Sequence, residues 1–163
     1  MNRSSALSLA RFIALAAPVL LLGGALLSQY VGGLYPCEMC LWQRWPHAAA
    51  ILLALGAFAT RPRPGLSRPL VALAALAIAL SGAIGVFHAG VEYGWWHGIT
   101  ACSVPISGGS AQDMLDAIMA APLTRCDVAP WSLFGISLAG FNALFSIGAA
   151  ALIAACLMRA RKD

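Results

Sequence analysis

Four stretches without a single formal charge constrain this chain more than anything else in it. Residues 12–35, 45–60, 70–91 and 131–158 contain no Asp, Glu, Lys or Arg. A helix needs about 20 apolar residues to cross a hydrocarbon core about 30 Å thick. Three of the stretches reach that length. The second is short, at about 24 Å if helical; a start at Leu41 or Trp42 makes it long enough and brings Arg44 into its first turns. Only 10% of the 163 residues are charged, against about 25% in soluble domains. The expected fold is therefore an all-α membrane protein, a four-transmembrane-helix bundle forming one domain over 1–163. Its spans fall near 12–33, 42–60, 70–91 and 131–158, with loops at 34–41 and 92–130. Pro18 lies inside the first span, where neighbouring helices absorb the freed carbonyl. A cleaved leader is the other reading of the N-terminus, since Arg3 and Arg11 precede an apolar run containing Ala14-Leu15-Ala16. The run continues to Val31, which favours an uncleaved span.

The charges sort by side. The N-terminus, the Arg61–Pro69 turn and the C-terminus carry eight of the ten basic residues. The opposite side carries Arg44 and Arg125 with Glu38, Glu92, Asp113, Asp116 and Asp127. The positive-inside rule then places both termini in the cytoplasm. The net charge of +4 is modest and forms no nucleic-acid patch. Five tryptophans (Trp42, Trp45, Trp95, Trp96 and Trp131) gather at the outer boundary, as an aromatic belt does. Ser81 and Gly85 form a small-xxx-small pair that lets another helix approach. In the second outer loop, Ser110-Ala111-Gln112-Asp113 resembles a helix start. Met114, Leu115, Ile118 and Met119 share one face of the helix it would begin, with Asp113 and Asp116 on the other. That short amphipathic helix either lies on the membrane surface or packs on the bundle.

This topology gives the cysteines a compartment. Cys37, Cys40, Cys102 and Cys126 all fall on the outer, oxidising side, where thiols pair. Cys156, at the inner end of the fourth span, reads as a small buried apolar residue. Two pairings suggest themselves, Cys37 with Cys40 and Cys102 with Cys126. A C-x-x-C ring is typical of redox centres. The second pair alone reads as a structural staple. Beside a C-x-x-C at one membrane face, it can also exchange with it, thiolate attacking disulfide. A four-cysteine zinc site meets the ligand count. However, 23 residues separate Cys102 from Cys126, and the compartment is oxidising, so no metal is expected.

Arg44 stands four residues beyond Cys40. The helix dipole and a guanidinium both favour a thiolate at Cys40, read here as lying just before the second helix. Such a thiolate at the lipid boundary suits a flat, lipid-soluble electron acceptor, and Arg44 can donate to an acceptor carbonyl. A quinone meets both requirements. Taken alone, Arg44 reads as a snorkelling arginine; four residues from Cys40, the functional reading is favoured. His88 either approaches the quinone head group or is an interfacial polar residue. His47 and His97 show no ligand spacing.

The combination resembles the disulfide bond formation protein B (DsbB) family. It rests on Cys37-Glu38-Met39-Cys40 with Arg44 between the first two spans, followed by a cysteine pair in a long outer loop. His88-Ala89-Gly90-Val91-Glu92, the run from Trp95 to Cys102, and Cys126-Asp127-Val128-Ala129-Pro130-Trp131 also look like that family. The resemblance implies a bacterial inner-membrane enzyme that reoxidises a DsbA-like thioredoxin-fold partner in the periplasm and reduces ubiquinone or menaquinone. The DsbA–DsbB–quinone route is already known to keep the periplasm oxidising. By position, Cys102 would form the mixed disulfide with the partner, and Cys126 would be its loop partner. Cys37 and Cys40 would receive the electrons, with Arg44 and, less directly, His88 beside the quinone. Two other readings compete. A vitamin K epoxide reductase-type oxidase carries its C-x-x-C in a late helix, not ahead of the second. A non-enzymatic membrane protein with structural disulfides would merely be destabilised by Cys37→Ser.

Overall fold

The computed structural model describes residues 2–100, 110–112, 115, 119 and 124–162. Four helices dominate them: α1 Arg3–Tyr30, α2 Glu38–Ala59, α3 Pro64–Glu92 and α4 Leu138–Lys162. A two-stranded antiparallel hairpin, β1 Ser132–Leu133 and β2 Ile136–Ser137, precedes α4. Three of the helices, α1, α3 and α4, are long and apolar enough to cross a membrane. The helix α2 has 22 residues, about 33 Å. Gln43, Arg44, Pro46 and His47 make its first half more polar than the other three.

Each helix starts where local chemistry dictates. Asn2 caps α1 by accepting from the Ser5 amide at 2.9 Å. A tight Thr60–Arg63 turn, closed by the Arg63 amide donating to the Thr60 carbonyl at 2.9 Å, leads into α3. There Pro64 takes the first helical position, where no partner is needed for the missing N–H. The helix thus begins six residues before the expected 70, and Pro69 sits inside it. The helix α4 begins at Leu138, not near Trp131. Residues 131–137 are uncharged but form the hairpin, whose turn places Phe134 at φ 52° and Gly135 at φ 78°. Two successive left-handed residues define the tight hairpin turn that matches strand twist.

Small residues set the packing. Ala10, Ala14, Ala50, Ala54, Ala57, Ala74 and Ala75, with Val71, Ile78, Ile153 and Cys156, form the main core. Cys156 is thus a buried apolar side chain with a free thiol. A Cβ on Gly85 would lie 3.0 Å from the Ala139 carbonyl oxygen, so α3 and α4 meet backbone to backbone there. Large side chains point outward instead: Leu20, Leu27, Leu52, Leu76, Leu144 and Leu152 are all exposed. That inversion suits a lipid surround, where the bundle gains nothing by hiding leucine.

Polar ties identify the two ends. At one end Arg11 donates to Ser67 Oγ at 2.7 Å, Ser67 donates to the Ala57 carbonyl at 2.9 Å, and Arg68 donates to the Ala160 carbonyl at 2.9 Å. The start of α1, the α2–α3 turn and the end of α4 therefore meet. The other end gathers the α1–α2 connection, the end of α3 and residues 124–137. The expected amphipathic helix falls largely outside the described residues; Leu115 and Met119 are exposed.

Candidate functional site

The site is built at the second of these ends, around the first turn of α2. Cys37 is the N-cap residue, in extended conformation, and its Sγ accepts from the Cys40 amide at 3.4 Å. Cys40 therefore lies inside the first turn, not before the helix. Cys37 Sγ donates to Cys40 Sγ at 3.1 Å, and both thiols are free. Because Cys37 holds its proton in that bond and is buried, its thiol is pushed well above the ordinary cysteine range.

The structure brings His88 to these sulfurs. Its Nε2 lies 3.5 Å from Cys37 Sγ and 3.7 Å from Glu92 Oε1. Cys37, Met39, Val91 and Cys126 form one small buried cluster, with Cys40 and Phe87 against it. Cys126 is disulfide-bonded and accepts from the Thr100 hydroxyl at 3.4 Å. Thr124 ties this segment to the Pro36 carbonyl at 3.4 Å. Cys102 lies outside the described residues. The exposed Arg125 makes a bidentate pair with Asp127, at 2.9 and 2.5 Å. That pair holds the Asp127 carboxyl below its usual range.

Behind the cysteines a polar network links three helices inside the apolar bundle. Asn142 of α4 donates to Gln43 Oε1 at 2.7 Å and to the Ser81 carbonyl at 3.2 Å. Both are acceptors, which fixes the amide orientation. Asn142 Oδ1 then accepts from His47 Nε2 at 2.8 Å and from Ser146 Oγ at 3.0 Å. Gln43, its oxygen engaged, donates through Nε2 to the Met39 carbonyl at 3.2 Å and to His88 Nδ1 at 2.9 Å. The His88 proton therefore sits on Nε2, facing Cys37 and Glu92.

Two cavities flank the dithiol. One, of about 260 Å³, opens between α1, α2 and α4 and is lined mainly by apolar groups. Cys40, Arg44 and His47 present one face of α2 to it, Ala25 and Ser28 line the α1 side, and Phe141 and Phe145 the α4 side. Arg44 crosses to α1, donating to Gln29 Oε1 at 2.5 Å and to the Ala25 carbonyl at 3.3 Å. Those two bonds leave guanidinium donors over. The other cavity, of about 290 Å³, is lined by Cys37, Cys40, His88, Thr124 and Arg125. His88 thus lines the cavity opposite the one that Arg44 lines, with Cys40 between them. Sequence reasoning missed Gln43, Glu92, Ser81 and Asn142. Their signal was there: uncharged polar residues within spans, and an acid four residues after a histidine.

The family model described as disulfide bond formation protein DsbB matches residues 8–156. A disulfide bond formation protein B of an Azoarcus species is 30% identical over 153 residues, covering 87% of this chain and 86% of its own. One from Marinobacter nauticus is 32% identical over 133 residues, covering 77% and 76%. No solved structure matches the chain significantly. A family model over most of the chain and relatives at 30–32% identity place it: the chain belongs to the DsbB family of disulfide bond formation proteins.

Proposed function

We propose that this protein is a quinone-dependent thiol oxidase of the bacterial inner membrane that reoxidises a DsbA-like periplasmic partner. In this reading 1–163 is one domain, all four helices span, both termini are cytoplasmic, and the cysteines face the periplasm. The polar half of α2 favours counting it as a span, because Gln43 and His47 Nε2 are hydrogen-bonded to Asn142 inside the bundle and Arg44 crosses to α1. The observation that carries the proposal is one juxtaposition. Cys40 and Arg44 share an apolar cavity at the bundle edge, while Cys37 packs with Cys126 behind it.

A partner thiolate attacks the Cys102–Cys126 disulfide at Cys102, releasing Cys126, and the partner's second thiol then displaces Cys102, leaving the partner oxidised and the loop pair reduced. The loop pair then reduces a Cys37–Cys40 disulfide, two electrons and two protons moving inward. In the dithiol state Cys37 keeps its proton, Cys40 faces the 260 Å³ cavity, and His88 Nε2–H orients Cys37. A ubiquinone or menaquinone in that cavity supplies a two-electron, two-proton acceptor. Arg44 holds its head group through donors left over from Gln29 and Ala25, a charge-assisted interaction in a dry setting.

The test uses purified protein, a reduced DsbA-like protein and a soluble quinone analogue. Quinone absorbance is expected to fall with wild-type protein and to stay constant with Cys40→Ser. Loss of absorbance that does not depend on the cysteines would sink the proposal. Thiol labelling of intact spheroplasts checks the topology, with Cys37 and Cys40 expected to react from outside.

A further inference from the structure

The dithiol and His88 also make three sides of a coordination sphere. We propose that the reduced protein binds one thiophilic divalent cation, of the zinc class, through Cys37 Sγ, Cys40 Sγ and His88 Nε2, with solvent in the fourth position and the Glu92 carboxyl as a neighbouring negative charge. This goes beyond the oxidase reading and does not depend on it. Among the described residues, the ligand atoms of Cys37, Cys40 and His88 all lie within 4.8 Å of one another.

Distances decide whether that cluster suits an ion. A tetrahedral zinc with Zn–S about 2.3 Å and Zn–N about 2.0–2.1 Å sets S···N near about 3.5 Å and S···S near about 3.8 Å. Cys37 Sγ and His88 Nε2 are 3.5 Å apart, already at the tetrahedral edge. The two sulfurs, at 3.1 Å, must open by about 0.7 Å to reach the S···S edge. Cys40 is only partly buried and in the first turn, so its side chain has room to give. Glu92 Oε1 stands 3.7 Å from His88 Nε2, outside the three-ligand cluster, where it places a negative charge beside the ion.

Two further observations point to a cation. The Glu92 side chain is 1% exposed; Ser137 hydrogen-bonds to the carboxyl, but its Oε2 has no hydrogen-bond partner. A buried, half-satisfied carboxylate is costly unless a positive charge meets it. Gln43 Nε2 grips His88 Nδ1 at 2.9 Å. That bond holds the ring with Nε2 toward the sulfurs; ligation needs the other tautomer, with His88 Nδ1–H donating outward. Binding exchanges protons for the ion: both thiols become thiolates and the His88 proton moves from Nε2 to Nδ1, which requires Gln43 to turn its amide oxygen inward and give up its bond from Asn142. Two protons leave to solvent per ion bound, and no electrons move. The consequence is a brake. A cation on both sulfurs blocks disulfide exchange until it dissociates, so only the reduced state is sensitive to it.

Cobalt reports such a site directly. The reduced full-length protein in detergent is titrated anaerobically with Co²⁺ and back-titrated with Zn²⁺. The expected result is one ion per chain, with sulfur-to-cobalt charge transfer and the intense visible bands of tetrahedral cobalt, and none in the Cys37–Cys40 disulfide form. The signal persists when Cys102 and Cys126 are both replaced by alanine. His88→Ala weakens binding at least tenfold, and Gln43→Ala, which unseats His88, by about tenfold. An absent band, a band equal in the disulfide form, a band that follows the loop cysteines, or unchanged affinity in His88→Ala each overturns the site. If the variants fail to fold, wild-type protein decides: Zn²⁺ must protect Cys37 and Cys40 from alkylation, reversibly with EDTA. None of these readouts involves quinone or a partner protein, so they stand or fall apart from the oxidase assay.

Discussion

Asn142→Leu removes the centre of the polar network while keeping side-chain volume. In the native bundle Asn142 bonds to α2 through Gln43 and His47 and to α3 through Ser81. His47 keeps Ser81 Oγ at 2.9 Å, and Ser146 can turn to a backbone carbonyl of its own helix. Gln43 Oε1 is left without the donor at 2.7 Å that satisfied it. An orphaned buried acceptor costs about 1–3 kcal/mol, and each lost interhelical bond in a membrane protein about 0.6 kcal/mol. With one orphan and two lost bonds to α2, the loss is about 2–4 kcal/mol. The assay is reversible unfolding in mixed micelles by added denaturing detergent, followed by circular dichroism. A Gln43→Leu arm completes a cycle. The double variant leaves no orphan between the two positions, so it should lose about 1 kcal/mol less than the sum of the singles. A single-variant loss under about 0.5 kcal/mol, or strict additivity, would refute the claim that this network is a paired unit.

Three other outcomes are expected. Arg44→Ala weakens quinone affinity by about 1.5–3 kcal/mol, the range for a hydrogen bond to a charged group; an unchanged apparent KM for quinone would exclude that role. Gly90→Ala puts a Cβ 2.0 Å from Trp96 Cζ2, so the indole must leave its 2.8 Å bond to the Phe87 carbonyl. The expected cost is about 1–3 kcal/mol, with a red shift in Trp96 emission; unchanged emission would show that the ring had not moved. The Asp127 carboxyl is lowered by its pairing with Arg125, so the pair contributes fully above the unfolded aspartate pKa near about 3.9 and is lost as pH falls through the lower folded value. Carboxyl NMR should give a midpoint below the ordinary value that rises in Arg125→Ala; equal midpoints would count against the pair.

The helices were legible because charge is costly in hydrocarbon, and the uncharged runs mark where it was excluded. The ends were less so. Trp131-Ser132-Leu133-Phe134-Gly135-Ile136-Ser137 is as uncharged as a span, yet it folds as a hairpin, because Phe134 and Gly135 take left-handed conformations that charge counting does not register. Counting formal charge also passed over Gln43, Ser81 and Asn142, which carry none but hydrogen-bond strongly in a dry interior. Glu92 read as one more acid of the outer loop; only the fold shows its side chain buried beside His88. The C-x-x-C was visible at once. Its placement in the first helical turn was not, since Cys37 is not among the usual capping residues.

That cap has a consequence of its own. One sulfur both starts a helix and carries redox chemistry. As a thiol, Cys37 accepts the Cys40 amide; once joined to Cys40, the same atom has less electron density to offer. A cap is worth about 1 kcal/mol, so oxidation loosens the opening coil of α2 just where the cavity wall begins. The backbone amides of residues 38–40 become an internal gauge of the dithiol, their solvent exchange quickening when the sulfurs join and slowing when they part.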